Sequence, residues 1–244
     1  DADKGANLWA GWGRKFTRPI GINETKEMLV EKFTRVPVRK TYTCNPAEFD
    51  YLDRPQNKLR VPMHYVLKND KANNLGSGPL PFGKVRIFIE PKDAQDLAMS
   101  STFLGEDWGR FTPMDDELKL YLGVAQDIVV TRTIDKSERH RVAGNLYNHE
   151  LVLKYEIENF KDKPVVLDIK ENLRYVRREI PNVGETGRDV EWEILPATDM
   201  EGGLDKEKST VEDVLFHVPL PARDTSGKAE KQVRKLHLLF RNEW

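Results

Sequence analysis

Short apolar-polar alternation, repeated along the chain with turn chemistry between the repeats, narrows the possible folds more than any other feature of this sequence. Leu118, Leu120 and Leu122 alternate with Lys119 and Tyr121, and Leu151, Leu153, Tyr155 and Ile157 alternate with Val152, Lys154, Glu156 and Glu158. A two-residue period sends successive side chains to opposite faces, so each segment reads as a strand with one wet face. Residues 127–134, 165–169, 190–195, 214–220 and 233–240 extend the series, and turn residues gather at 159–164, 182–187, 200–205 and 221–227. No long amphipathic helix interrupts it. Strands without crossover helices predict an all-β fold, an antiparallel β-sandwich of immunoglobulin-like or related Greek-key type.

The N-terminal half keeps the rhythm less regularly. Extended runs at 32–43 and 58–68 flank a turn-rich piece, which makes an antiparallel hairpin the simplest connection, and Pro37 and Pro62 belong at strand ends or edges because proline cannot donate to a ladder. Between Asn73 and Glu90 a Gly- and Pro-rich half precedes Val85, Ile87 and Ile89, which alternate with Lys84 and Arg86. Gly78, Gly83 and Lys84 stand at the spacing of a phosphate-binding loop. Physical grounds exclude that reading: Pro79 and Pro81 remove backbone donors, Val85 replaces the metal-binding Ser or Thr, and a β-branched run follows where a helix should start. The stretch therefore predicts a rigid turn feeding a half-buried strand. Residues 91–101 read as a surface excursion with one helical turn.

At 244 residues the chain is long enough for one large β domain with an extension. The expected organisation is an irregular arm over 1–27 and a sandwich over 28–244, with a sub-domain break near 135–150. Residues 24–33 suit a short helix or a strand. In the arm, Trp9, Trp12 and Phe16 stand among glycines and the bases Arg14, Lys15 and Arg18, with too few periodic apolar positions to form a core. Those aromatics are covered either by the same chain's sandwich or by a partner, and Trp9, Trp12, Arg14 and Phe16 are the expected protein-binding residues. A formal net charge of -1 gives no global field for nucleic acid or an anionic membrane. No apolar run reaches the roughly 20 residues that span a bilayer. The polar start Asp1-Ala2-Asp3-Lys4 resembles the residues that follow signal cleavage, so the expectation is a soluble, periplasmic or otherwise exported protein. Asn23-Glu24-Thr25 fits a glycosylation acceptor, a pattern short enough to arise by chance. The single cysteine, Cys44, cannot form an internal disulfide and reads as a buried, idle thiol.

Four further stretches carry a family likeness. They are Asn69 to Gly76 with Pro79 to Phe88, Phe103-Leu104-Gly105-Glu106-Asp107 with Thr112-Pro113, Leu122 to Val130, and Glu156 to Val165. In that order they resemble the C-terminal β domain of the mucoidy-inhibitor-like proteins, a family of unknown function, over about residues 32–240. The resemblance implies a β-rich fold and supplies no catalytic residues. Two departures stand out. Longer relatives carry an upstream region, often a coiled coil, that this sequence lacks, and the piece between Tyr175 and Asp213 has no match.

Each candidate constellation has a plainer alternative. Asp115-Asp116-Glu117 lacks the spacing and turn glycine of a calcium loop and reads as a solvated turn. His140 and His149 flank a loop with Glu138 and Glu150, and His217 and His237 would approach each other only if their strands pair, still one ligand short of a zinc site. Glu191 and Glu193 share a strand face opposite Trp192, so they cannot face each other across a glycosidase cleft. Arg174, Arg177 and Arg178 form a basic cluster that suits a solvated face or an acidic partner. The sequence thus predicts no catalytic set, cofactor or metal. It predicts a non-catalytic structural or assembly subunit, or adaptor, that binds other protein subunits through its arm, loops and edge strands. The alternative is a carbohydrate-binding module or weak hydrolase of the cell envelope, with Trp108, Asp107 and Arg110 in a loop as its aromatic face.

Overall fold

The computed structural model describes residues 32–49, 58–89, 102–180 and 191–243, and the arm residues Trp9, Trp12, Arg14 and Phe16 lie outside them, as does the excursion at 91–101. The described residues divide into two compact units, one within 1–40 and 64–122, the other within 41–63 and 123–244.

The larger unit is a β-sandwich. One sheet is antiparallel throughout and runs β10 (Glu191–Ile194), β12 (Gln232–Glu243), β8 (Leu146–Asn159), β7 (Ile128–Ala143), β2 (Lys58–Leu59). In the other, β11 (Asp213–Leu220) pairs antiparallel with β9 (Val165–Asn172), and β9 pairs in parallel with β1 (Arg39–Cys44). That parallel pair departs from the all-antiparallel expectation. Its two strands are distant in sequence, so the chain can return to lie beside β9 in either direction, whereas a hairpin cannot.

The alternation read from the sequence decides what is buried. On β8 the inward set Leu151, Leu153, Tyr155 and Ile157 is wholly buried, and it meets Leu236, Leu238 and Phe240 of β12, Leu167 and Ile169 of β9, and Phe216 and Val218 of β11 in one core. Each such aliphatic side chain contributes about 1.5–3 kcal/mol by leaving water. A two-residue turn, Gly144-Asn145, closes β7 onto β8 with Ala143 opposite Leu146, and Gly144 at φ 53 takes a conformation that favours glycine in this hairpin turn. The hairpin therefore runs continuously through residues 135–150.

Three polar side chains sit inside this core. Arg132 of β7 donates to both carboxylate oxygens of Glu171 on β9, at 2.8 and 3.3 Å, and the Tyr155 hydroxyl donates to Glu171 at 2.6 Å. Arg132 also donates at 2.7 Å to Glu179, which caps the C-terminal end of α1 (Leu173–Arg178). The set ties both sheets and the helix together, and its bidentate geometry offsets part of the desolvation penalty of a buried ion pair. Burial raises the Glu171 carboxyl above its ordinary value, and the Arg132 guanidinium opposes that rise.

The smaller unit holds β3 (Pro62–Lys68) from His64 on, beside β6 (Glu117–Val124) as far as Leu122, and a separate two-stranded ribbon, β4 (Gly83–Ile89) with β5 (Thr102–Gly109). Pro62 is the first residue of β3, a place that needs no ladder donor. The Gly- and Pro-rich approach to β4 is fixed by one buried side chain, Asn69. Its amide donates to the carbonyls of Gly78, Thr112 and Pro113 at 3.0–3.2 Å, and its carbonyl oxygen accepts the Gly76 N–H at 3.0 Å. Gly76, at φ 77, passes so close to Asp70 that a Cβ would lie 2.8 Å from backbone. Leu80 and Thr112 complete the base by exchanging two backbone bonds at 2.8 and 2.9 Å. The turn feeding a strand is thus present, and β4 follows where a phosphate-binding loop would launch a helix.

Candidate functional site

The β4–β5 ribbon has two unlike faces. Val85 and Ile87 are half-buried on the inner one, and the Val85 methyl group fills the space beside Gly109, where a Cβ would come within 2.9 Å. Also on β5, the Asp107 carboxylate accepts the Tyr121 N–H of β6 at 2.7 Å and the Trp108 N–H at 2.8 Å. These contacts fix the ribbon against β6.

The outer face is made of residues that alternation assigns to water. Lys84 stands opposite Trp108 and Arg86 opposite Glu106; a bulge after Ile87 then skips Leu104 and brings Phe88 opposite Phe103. Phe88 and Phe103 meet edge to face with centroids 5.5 Å apart, and Phe82 stacks on Trp108 at 5.3 Å with the planes 6° apart. All four rings are more than half exposed: Phe82 65%, Trp108 56%, Phe103 53% and Phe88 51%. Ile89, expected on the buried side, is exposed as well, because the bulge ends the regular alternation there.

Between the two ring pairs lies a charged trio. Glu106 accepts from Lys84 at 2.8 Å and lies 3.5 Å from Arg86, and the Lys84 hydrogen bond holds the Glu106 carboxyl below its usual range. Lys84 also stands 5.4 Å from the centre of the Trp108 ring. Among the described residues two cations share one carboxylate, which leaves a net positive charge, and Arg86 has one long contact there. The chemistry on offer is recognition: aromatic surface, a planar donor fork and, among the described residues, strand edges with no further strand beside them.

The other sequence candidates fall elsewhere. Trp108, Asp107 and Arg110 are expected in a loop, but Trp108 and Asp107 belong to β5, and Asp107 is engaged by backbone. Asp115 donates its N–H to the Asn69 carbonyl and Asp116 accepts the Glu117 N–H, the bonding of a turn. His217 and His237 stand in different sheets, on β11 and β12, and do not pair. Glu138, His140 and Glu150 do converge, with ligand atoms within 4.8 Å of one another, but the Lys136 ammonium contacts both carboxylates at 3.1 and 3.0 Å and already serves as their counter-ion. His149 lies apart from them, its Nε2 2.8 Å from the Ser137 hydroxyl. Glu191 and Glu193 are exposed with Trp192 half-buried between them, as read, and Arg241 binds Glu193 at 2.5 Å. Arg174 pairs with Glu212 at 2.6 Å. Cys44 is a fully buried free thiol, pushed far above its ordinary value by burial and then by the nearby Glu171.

Sequence reasoning missed Phe82, Phe88 and Phe103 as surface residues. A signal existed: by the two-residue rule Phe88 falls with Lys84 and Arg86, on the side where an isolated aromatic has no core to join. Among the described residues, no helix is long and apolar enough to cross a membrane. Compared with known proteins, the chain matches no family model, no curated protein and no solved structure. Fold and surface together define an all-β protein with an exposed aromatic ribbon.

Proposed function

We propose that this protein is a non-catalytic assembly subunit or adaptor that binds another protein through the outer face and open edges of the β4–β5 ribbon. The observation that carries the reading is the exposed aromatic quartet, set in two ring pairs about Arg86 and Glu106. Exposed apolar patches rimmed by polar groups mark interaction surfaces, and Trp, Tyr and Arg dominate binding energy where they occur. The occupant is an extended segment of a partner protein with apolar side chains for the ring pairs and a carboxylate for Arg86, laid along the ribbon by strand addition. Trp9, Trp12, Arg14 and Phe16 of the N-terminal arm are proposed as further anchors of the same complex, and the likeness to the mucoidy-inhibitor-like domain, which supplies no catalytic residues, accords with this role.

The test is quantitative co-purification of the tagged chain from its native source, as wild type and as the Phe88→Ser, Trp108→Ala double variant. A partner retained by the wild type and lost by a variant of unchanged thermal midpoint supports the reading. Equal recovery from both overturns it. A sugar-binding role is favoured only by the flat Phe82 and Trp108 stack, and Lys84 already occupies the surroundings of that indole. Calorimetric titration with oligosaccharides separates the two, because an adaptor gives no saturable heat.

A further inference from the structure

Residues 195–212, between β10 and β11, form a strap across the sandwich unit. One half is bonded to β12: Asp199 and Lys235 exchange backbone bonds at 2.8 and 3.2 Å, and the Leu195 N–H donates to His237. The other half lies along β11, the outermost strand of its sheet. There the Asp205 N–H donates to the Leu215 carbonyl at 2.9 Å, the Ser209 hydroxyl oxygen accepts the Leu215 N–H at 3.1 Å, and Leu204 bridges to Phe216. Gly202 passes so near the His217 carbonyl that a Cβ would overlap it at 1.7 Å. The strap therefore covers the edge of β11, where unpaired backbone groups would otherwise invite another strand.

One side chain fastens this cover to the sheet beneath. His217 places Nδ1 2.7 Å from the Asp168 carboxylate of β9 and Nε2 2.9 Å from the Asp205 carboxylate of the strap. An ionised carboxylate only accepts, so both ring nitrogens must carry hydrogen, and the bridging ring is an imidazolium. The same Asp205 carboxylate accepts the Glu207 and Lys208 N–H groups, which sets the local turn of the strap. We propose that His217 is a proton-operated latch: its charged form holds the strap on the edge of β11, and loss of one proton releases the Asp205 end and exposes that edge.

The surroundings agree with the sign. Burial opposes the charge on His217, and the hydrogen bonds to Asp205 and Asp168 outweigh it, so its titration lies above the ordinary histidine value. Asp205 is held below the usual carboxylate range chiefly by His217. From β9 the next charged position along is Lys170, paired with Asp213 of β11 at 3.4 Å; from β1 the position aligned with Asp168 is the uncharged Thr43; on the strap, Lys206, Glu207 and Lys208 follow Asp205. A raised folded value means that the stabilisation is complete below about pH 6.5, the unfolded value, and is lost as pH rises through the folded one.

The test is backbone amide exchange, corrected for intrinsic rates, on the full chain as wild type and His217→Gln from pH 5.5 to 8.5. In the wild type, protection of the Asp205 and Leu215 amides should fall about tenfold across the His217 midpoint, the equivalent of one charge-assisted bond. In His217→Gln it should be low at every pH and flat. Should that variant fail to fold, the nitrogen shifts of the wild-type His217 ring decide, since two protonated nitrogens are expected at pH 6. A neutral tautomer at pH 6 overturns the latch, as does wild-type protection that stays constant while His217 titrates.

Discussion

The hairpin of β7 and β8 and the ribbon of β4 and β5 are both antiparallel pairs written in the same two-residue code, yet they end in opposite environments. On β8 the apolar set is wholly buried, because β12 lies beside it and the facing sheet covers it. On the ribbon, four aromatic rings remain more than half exposed, and among the described residues each strand has only the other as its sheet partner. Alternation thus settles that a strand has two faces and leaves open which of them the fold covers. The informative residue is the aromatic that stands on the charged face.

The comparison predicts that changes in the sandwich cost stability and changes on the ribbon cost binding. The largest effect is expected at Glu171. Glu171→Gln removes the carboxylate that receives Arg132 and Tyr155, and leaves a buried guanidinium with only Glu179. Breaking one side of a buried pair costs about 3–5 kcal/mol. Urea unfolding should show that loss, and Arg132→Met combined with Glu171→Met should lose less than the single variant. A loss below about 1 kcal/mol for Glu171→Gln would mean that the polar trio is solvated, since exposed pairs are worth no more than that.

Asn69 ranks next, because it belongs to the smaller unit yet supports the ribbon from below. Asn69→Ala strands the carbonyls of Gly78 and Pro113 and the Gly76 N–H, leaves the Thr112 carbonyl with the Leu80 N–H alone, and a buried polar group left unpaired costs about 1–3 kcal/mol. The expected loss is about 2–3 kcal/mol by urea unfolding, with faster amide exchange at Gly76. Partner binding should weaken too, as the turn that presents the ribbon loosens.

The ribbon itself should barely move the stability. Phe88→Ser with Trp108→Ala removes two exposed ring contacts, worth about 0.5–1.5 kcal/mol each where buried and less in water. A thermal midpoint within a few degrees of wild type is expected. A collapse of the midpoint would show that these rings are core, and the contrast between the two pairs would be lost.

Much of the sandwich was legible because burial enforces the code. Leu151, Leu153, Tyr155 and Ile157, then Val214, Phe216, Val218 and Leu220, then Leu236, Leu238 and Phe240 keep the two-residue period, so a one-residue slip would turn these buried side chains outward. The hairpin tip was not legible, since residues 135–142 are mostly polar and Gly144-Asn145 was the only turn signal to connect them. The His217 bridge escaped too. Its partners, Asp168 and Asp205, lie 49 and 12 residues away, and only the cross-strand register brings Asp168 opposite. The ribbon's bulge was equally hidden, because one extra residue in β5 changes which rings meet without altering the composition of either strand.

The smallest effect contrasts two histidines, one in each unit. His64 of β3 is pushed down to about 4, first by burial and then by the charge of Lys119, whereas His217 is raised. Its ring lies 5.6 Å from that of Tyr121, and its Nδ1 is buried without a hydrogen-bond partner, so the folded state holds it neutral. Between about pH 4 and the unfolded value near 6.5 the unfolded chain binds a proton that the folded chain refuses, so acidification through that window destabilises the smaller unit. His217 gives the opposite slope at higher pH. Proton NMR should place the His64 midpoint near 4, and Lys119→Gln should move it upward by removing the nearby positive charge. A wild-type midpoint at the ordinary histidine value would show that water reaches Nδ1, and the two histidines would no longer mark different environments.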